Sequence, residues 1–95
     1  MDKTEYLLTC LGEEAAEIQQ AACKALRFGL DDGHPEKTTT NAQDIAKECV
    51  DIIAVMELLE ENGVIDIASA IHAKNEKKAK ILQYMEYAQR RGTLV

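Results

Sequence analysis

The stretch LGEEAAEIQQAA, residues 11–22, places acidic side chains inside the apolar stripe of a predicted helix. Each helical residue turns the chain by about 100°, so Glu14 falls on the same face as Leu11 and Ile18. Glu17 lies about 60° to one side of that face. An unpaired carboxylate is costly to bury, so the inner acids need a lysine of another helix, a proton or a metal ion.

Length and composition restrict the class of protein. The chain has 95 residues, which predicts one domain over residues 1–95, and a domain this small often self-associates. Its net charge is −6, which argues against nucleic acid as the main partner. No run of about 18 apolar residues is present, so we expect no membrane span. Three cysteines without a CxxC pair favour reduced thiols and a cytoplasmic location.

Helical patterns cover most of the chain, and nothing shows the alternation typical of strands. The first helix is predicted over about residues 4–28, before a glycine suited to a helix end. The second is predicted over about residues 41–62, with Thr40 beginning a capping box. The third follows Asp66 and ends near residue 91. We therefore expect an all-α fold of three long helices, with room for a short extra one, packed as a helical bundle in a homo-oligomer.

The second helix carries a matching pair of acids in the sequence AKECVDIIAVMELL. Glu48 is predicted to flank the apolar stripe, and Asp51 to lie about 60° further round. If the first two helices pack antiparallel, both pairs of acids can converge. Carboxylate oxygens on rigid helices suit Mg²⁺ or Mn²⁺. The predicted stripe consists of Ile45, Cys49, Ile52, Ile53, Met56 and Leu59.

The third helix interrupts its apolar stripe with bases. Lys74 and Lys78 lie one turn apart on the apolar side, and Asn75 lies beside them. Two interpretations stay open. Both lysines can extend to solvent with their stems buried, or they can face the acids or an anion held there with a metal ion.

The order and spacing of these residues resemble a known family. EEAAE followed by ECVD is similar to the ExxE…ExxD signature of the MazG-like all-α nucleoside triphosphate pyrophosphohydrolases, and KNEKK resembles the family's downstream Lys/Asn segment. The resemblance covers roughly residues 4–80. It implies a helical dimer or tetramer, and Mg²⁺-dependent hydrolysis of a (d)NTP to a (d)NMP and pyrophosphate. It implies catalytic and metal-binding roles for Glu14, Glu17, Glu48 and Asp51, and phosphate contacts for Lys74, Asn75, Lys78 and Lys24.

Some features depart from the family pattern and leave alternatives open. Few residues precede the ExxE helix, where many relatives have another helix, so a partner subunit is expected to complete the cleft. Tyr6 and Phe28 can stack on a base, although packing is the expected role of each. The alternatives are a non-catalytic helical oligomerisation module or, within the superfamily, a phosphoribosyl-ATP pyrophosphohydrolase or a dUTPase-like enzyme.

Overall fold

The computed structural model describes all residues from Met1 to Val95, and its regular structure is entirely helical. The predicted all-α class is therefore confirmed. None of the helices combines the length and the apolar character needed to cross a membrane. In chain order the helices are α1 (Lys3–Phe28), α2 (Asn41–Glu61), α3 (Ile67–Ala70) and α4 (His72–Arg91).

The ends of the first two helices follow from local chemistry. The Asp2 carboxylate accepts a hydrogen bond from the backbone N–H of Glu5 at 2.8 Å, which caps the start of α1. At the start of α2, the backbone N–H of Gln43 donates to the Thr40 hydroxyl at 3.2 Å, and the Thr40 N–H donates to the Gln43 side chain at 2.9 Å. The predicted capping box is therefore present. Gly29 ends α1 at φ 97°, a backbone conformation that favours glycine.

The predicted long third helix is interrupted at Ile71, and this corrects the expectation of one continuous element. Asp66 caps α3 as expected, accepting from the backbone N–H of Ser69 at 3.4 Å. The N–H of Ile71 then donates to the Ala68 carbonyl at 3.5 Å, and the N–H of Lys74 donates to the Ile71 carbonyl at 3.1 Å. Both bonds span three residues, so a tight 3₁₀-type turn replaces the α-helical pattern between α3 and α4.

The chain divides into two compact units, Met1–Ile65 and Asp66–Val95. In the first unit, the Asn41 side chain donates to the Gly29 carbonyl at 2.8 Å, which holds the start of α2 beside the end of α1. The two helices therefore form an antiparallel hairpin. Its buried apolar residues are few: Leu7, Ala21 and Leu59, of which only Leu59 is fully buried. The second unit contains α3 and α4, and neither of these helices has a buried residue.

The face that α2 turns toward α1 differs from the predicted stripe. Cys49 and Ile53 are exposed, whereas Glu48 is half-buried among the inward residues. The apolar residues of α2 occupy a wide sector, so several facing directions are compatible with its sequence. Packing against α1 turns the inward face of α2 toward Glu48, away from Cys49 and Ile53. The less exposed residues of α2 are Asn41, Asp44, Ile45, Glu48, Asp51, Ile52, Val55, Met56 and Leu59.

Candidate metal-binding site

Four carboxylates converge at the middle of the hairpin. Glu14 and Glu17 come from α1, and Glu48 and Asp51 come from α2. Residues three apart lie side by side on a helix surface, so each helix contributes one adjacent pair. Antiparallel packing then brings the pairs together, and one oxygen from each side chain lies within 4.8 Å of the others. The structure thus places all four predicted acidic residues in one cluster.

The burial of these acids matches the geometry expected for the first helix. Glu14 is half-buried in the stripe, and Glu17 is exposed at its rim. Oε2 of Glu14 and Oε2 of Glu48 are both buried, and neither has a hydrogen-bond partner. Buried polar atoms in folded proteins are nearly always paired. These two oxygens therefore mark a place where a proton or a cation is needed.

The charges of the cluster are only partly balanced by the protein. Lys47 Nζ lies 2.7 Å from Asp51 Oδ2, one helical turn away. This contact raises the pKa of Lys47, and the negative charges of Asp51 and Glu48 add to the effect. Lys47 is absent from the site predicted from the sequence, although its spacing of four residues before Asp51 is the usual signal for such a pair.

The like charges also change the acid strength of Glu48. Its pKa is raised, first because a protonated Glu48 can hydrogen-bond to Glu17, and second because partial burial disfavours the charged form. The neighbouring Lys47 opposes this shift, and it is outweighed. The protein alone therefore holds a proton at this position more readily than an isolated glutamate would. A bound cation would compete for the same place.

The donor set fits a hard divalent ion. All four side chains offer carboxylate oxygens, and Glu14 and Glu48 each have a buried oxygen without a hydrogen-bond partner. Mg²⁺ and Mn²⁺ favour such ligands, whereas zinc sites are usually built with cysteine or histidine. A metal ion could therefore be held by Glu14, Glu17, Glu48 and Asp51.

The basic residues of the predicted site lie elsewhere in the chain. Lys74, Asn75 and Lys78 are exposed on α4, in the second unit, and their contacts with phosphate remain a prediction. Lys24 is exposed on α1, where it lines a cleft together with Phe28. This cleft was not predicted from the sequence. The one signal for it is the position of Phe28 next to the loop that contains Gly33 and Pro35.

Comparisons with protein-family models, with curated proteins and with solved structures return no match to this chain. Its function must therefore be argued from its own residues.

Proposed function

We propose that this chain is a Mg²⁺-dependent nucleoside triphosphate pyrophosphohydrolase of the MazG-like type. It would convert a (d)NTP and water to a (d)NMP and pyrophosphate. The observation that carries the proposal is the cluster of Glu14, Glu17, Glu48 and Asp51, whose ligand oxygens lie within 4.8 Å of one another. The resemblance of EEAAE and ECVD to the family signature supports the same conclusion.

The four carboxylates would hold the metal ion, and their rigid helices would fix its position relative to the substrate. When bound, Mg²⁺ supplies screening of the polyphosphate charge and stabilises the leaving pyrophosphate. The residues of the chain then orient water and accept a proton. As the water oxygen bonds to phosphorus and the bond to pyrophosphate breaks, the proton passes to a carboxylate of the cluster. The four carboxylates lie together in the cluster, and one of them would orient the water and accept its proton.

Lys47 would act as a positioning residue. Its ion pair with Asp51 fixes the orientation of that carboxylate, and it reduces the repulsion within the cluster. The lysine is mostly exposed, so its contribution to folding is small. Its function in the proposed enzyme is therefore to orient the Asp51 carboxylate, which would bind the metal ion.

The lysines of the second unit would contact the phosphates. Lys74 and Lys78, with Asn75, supply donors for phosphate oxygens, and Lys24 supplies another from α1. We expect Lys74→Ala to weaken nucleotide binding more than Mg²⁺ binding, as measured by calorimetric titration of each ligand. Lys77→Ala is the matched control, because it removes the same charge from a neighbouring position. Equal losses of nucleotide and Mg²⁺ affinity in Lys74→Ala would mean that the lysine only braces the carboxylates.

The proposed enzyme is a homodimer or a homotetramer. None of the residues of α3 and α4 is buried, and Ile81, Leu82 and Met85 of α4 are exposed. A second copy would cover these side chains and complete the cleft around the cluster. Sedimentation equilibrium at micromolar concentration should give a mass above 10.5 kDa. A monomeric mass with full activity would contradict the shared cleft.

The direct test is a pyrophosphate-release assay with Mg²⁺ across canonical and modified NTPs and dNTPs. The wild-type chain should release pyrophosphate, and Glu48→Gln should lower kcat by about 10²–10⁴-fold, the usual contribution of a positioned proton acceptor. Glu57→Gln is the control, because it makes the same change at an exposed position of α2. Unchanged turnover in Glu48→Gln, with helicity intact, would reject the assignment of the site.

The same panel separates the alternatives. A non-catalytic oligomerisation module would release no pyrophosphate from any nucleotide and would show no saturable stabilisation by Mg²⁺. Strong preference for phosphoribosyl-ATP or for dUTP would identify one of the specialised activities within the superfamily.

A further inference from the structure

A cleft of about 340 Å³ lies where the end of α1 meets the loop that leads to α2. This volume falls at the lower end of the range for small-molecule sites, about 300–1,000 Å³. Its lining includes Lys24 and Phe28 from α1 and His34 and Lys37 from the loop. The cleft lies entirely within the first unit and is separate from the acidic cluster.

The loop that forms the cleft is held in place by backbone contacts. The Asn41 N–H donates to the Asp32 carbonyl at 2.6 Å, and the Asn41 side chain donates to the Gly29 carbonyl at 2.8 Å. A Cβ at Gly33 would collide with the Thr39 carbonyl oxygen, so only glycine permits this close approach. The cleft is therefore formed before any ligand arrives, which lowers the cost of binding.

The charges around the cleft favour a neutral ligand over a polyphosphate. Lys24 and Lys37 are balanced by Asp32 and Asp44. The first backbone N–H groups of α2 are also occupied: those of residues 41, 42 and 44 donate to backbone carbonyls, and that of residue 43 donates to a side chain. A helix N-terminus that is saturated in this way offers nothing to an anion.

The aromatic ring supplies a surface for stacking. Phe28 is 56% exposed, although it lines the cleft. The Arg27 guanidinium lies 4.7 Å from the ring centroid, and Arg27 does not line the cleft. The arginine therefore covers one face of the ring, and the other face is free of it. His34 Nδ1 accepts from the Glu36 N–H at 3.1 Å, so the hydrogen of the neutral imidazole sits on Nε2 as a donor.

The position of the cleft relates it to the acidic cluster. Lys24 follows Glu17 by seven residues, which is two turns and about 10.5 Å along the same side of α1. Asp44 precedes Glu48 by one turn of α2, about 6 Å. The cleft and the cluster are therefore successive places along one face of the hairpin, suited to the two ends of one elongated ligand.

We propose that this cleft is a base-binding subsite, in which a nucleobase stacks on the Phe28 ring while its polar edge meets Lys37, Asp32 and Asp44. The inference rests on the proposed function, since it places the base of the same nucleotide whose phosphates reach the carboxylates. It assigns recognition of the base to Phe28, His34 and Lys37.

The test uses the full chain and nucleoside monophosphates in metal-free buffer, because the proposed subsite contacts the base and not the metal ion. Phe28 is the single phenylalanine of the chain, so its ring signals in an NMR spectrum are unambiguous. Nucleoside monophosphates should shift the ring signals of Phe28 and His34 saturably, whereas ribose 5-phosphate and inorganic pyrophosphate should not. Equal shifts with the base-free compounds, or none with any nucleotide, would overturn the proposal.

Variants give a second readout. Stacking of a base on an aromatic ring typically contributes a factor of roughly 5–150 in affinity, so Phe28→Leu should weaken binding of the monophosphate by that amount. Phe28→Tyr should retain binding. Tyr6→Leu, at the other exposed aromatic residue of α1, is the control and should have no effect. Unchanged affinity in Phe28→Leu would reject the subsite.

These experiments distinguish failure of the base-binding subsite from failure of the proposed enzyme activity. Glu48→Gln should lower kcat by about 10²–10⁴-fold and should retain the saturable shifts of the Phe28 ring signals with the monophosphate. If the wild-type chain shows the Phe28 shifts but releases no pyrophosphate from nucleotides, the proposed enzyme activity is rejected and the base-binding subsite is retained. Turnover with an unchanged KM in Phe28→Leu would keep the enzyme and reject the subsite.

Discussion

Glu48→Gln should move the stability of the protein in opposite ways without and with Mg²⁺. In the metal-free protein, Glu48 adds a negative charge to three other carboxylates within 4.8 Å. Its buried Oε2 also lacks a hydrogen-bond partner. Glutamine removes the charge, and its amide can donate to a neighbouring carboxylate. The metal-free variant should therefore melt at a higher temperature than the wild-type chain.

Magnesium should reverse this order. A ligand at 100 times its Kd stabilises the folded state by about 2.7 kcal/mol, which for a domain of this size corresponds to a rise in Tm of more than about 10 °C. Loss of one carboxylate ligand should weaken Mg²⁺ binding at least about tenfold. The same Mg²⁺ concentration would then be 10 times Kd or less, and the stabilisation would fall to about 1.4 kcal/mol or below.

The assay is thermal unfolding followed by circular dichroism, at one chain concentration, with either EDTA or MgCl₂. Sodium chloride should match the ionic strength, because general screening also relieves repulsion between carboxylates. Glu57→Gln controls for the loss of one charge from α2. A lower metal-free Tm in Glu48→Gln would show that repulsion between the carboxylates does not destabilise the fold. The full Mg²⁺-dependent rise in this variant would show that Glu48 does not bind the ion.

Three further predictions concern pH and two glycines. Because its pKa is raised, folded Glu48 binds a proton more tightly than the unfolded chain does, so its contribution to stability is present at low pH and is lost as pH rises through the raised value. Urea unfolding of the metal-free protein should show this loss, and saturating Mg²⁺ should weaken the dependence; a contribution that grows with pH would contradict it. Gly33→Ala should destabilise the protein by roughly 1–3 kcal/mol, because the added methyl meets the Thr39 carbonyl; an unchanged urea midpoint would show that the loop adjusts freely. Gly12→Ala should stabilise α1 by about 0.5–1 kcal/mol, since a Cβ there meets nothing, and a lower Tm would reveal a packed surface at that point.

Much of the hairpin could be predicted because its signals are local. The capping box at Thr40 and Gln43 depends on residues three apart, and the end of α1 depends on Gly29. The inward position of Glu14 follows from helical periodicity alone. Each of these features involves one or two turns of chain, so the surrounding structure has little opportunity to alter it.

Other features depended on packing or on small energetic differences. The break at Ile71 occurs in a stretch without glycine or proline, so no local signal in the sequence marks it. The predicted stripe of α2 was wrong at Cys49 and Ile53, which are exposed although they are as apolar as residues that turn inward. Its other members, Ile45, Ile52, Met56 and Leu59, do turn inward. Only contact with α1 distinguishes the residues that turn inward from those that do not.

The sequence by itself determined which segments are helical and which acids share a face, since both follow from a period of 3.6 residues and from local caps. Only the tertiary structure decided that Glu14 and Glu17 meet Glu48 and Asp51, and that two of the carboxylate oxygens lose their contact with water. The raised pKa of Glu48 belongs to the same class, because it depends on Glu17, which lies more than thirty residues away in the chain. Such a property requires the packing of one helix on another, and no local pattern specifies it.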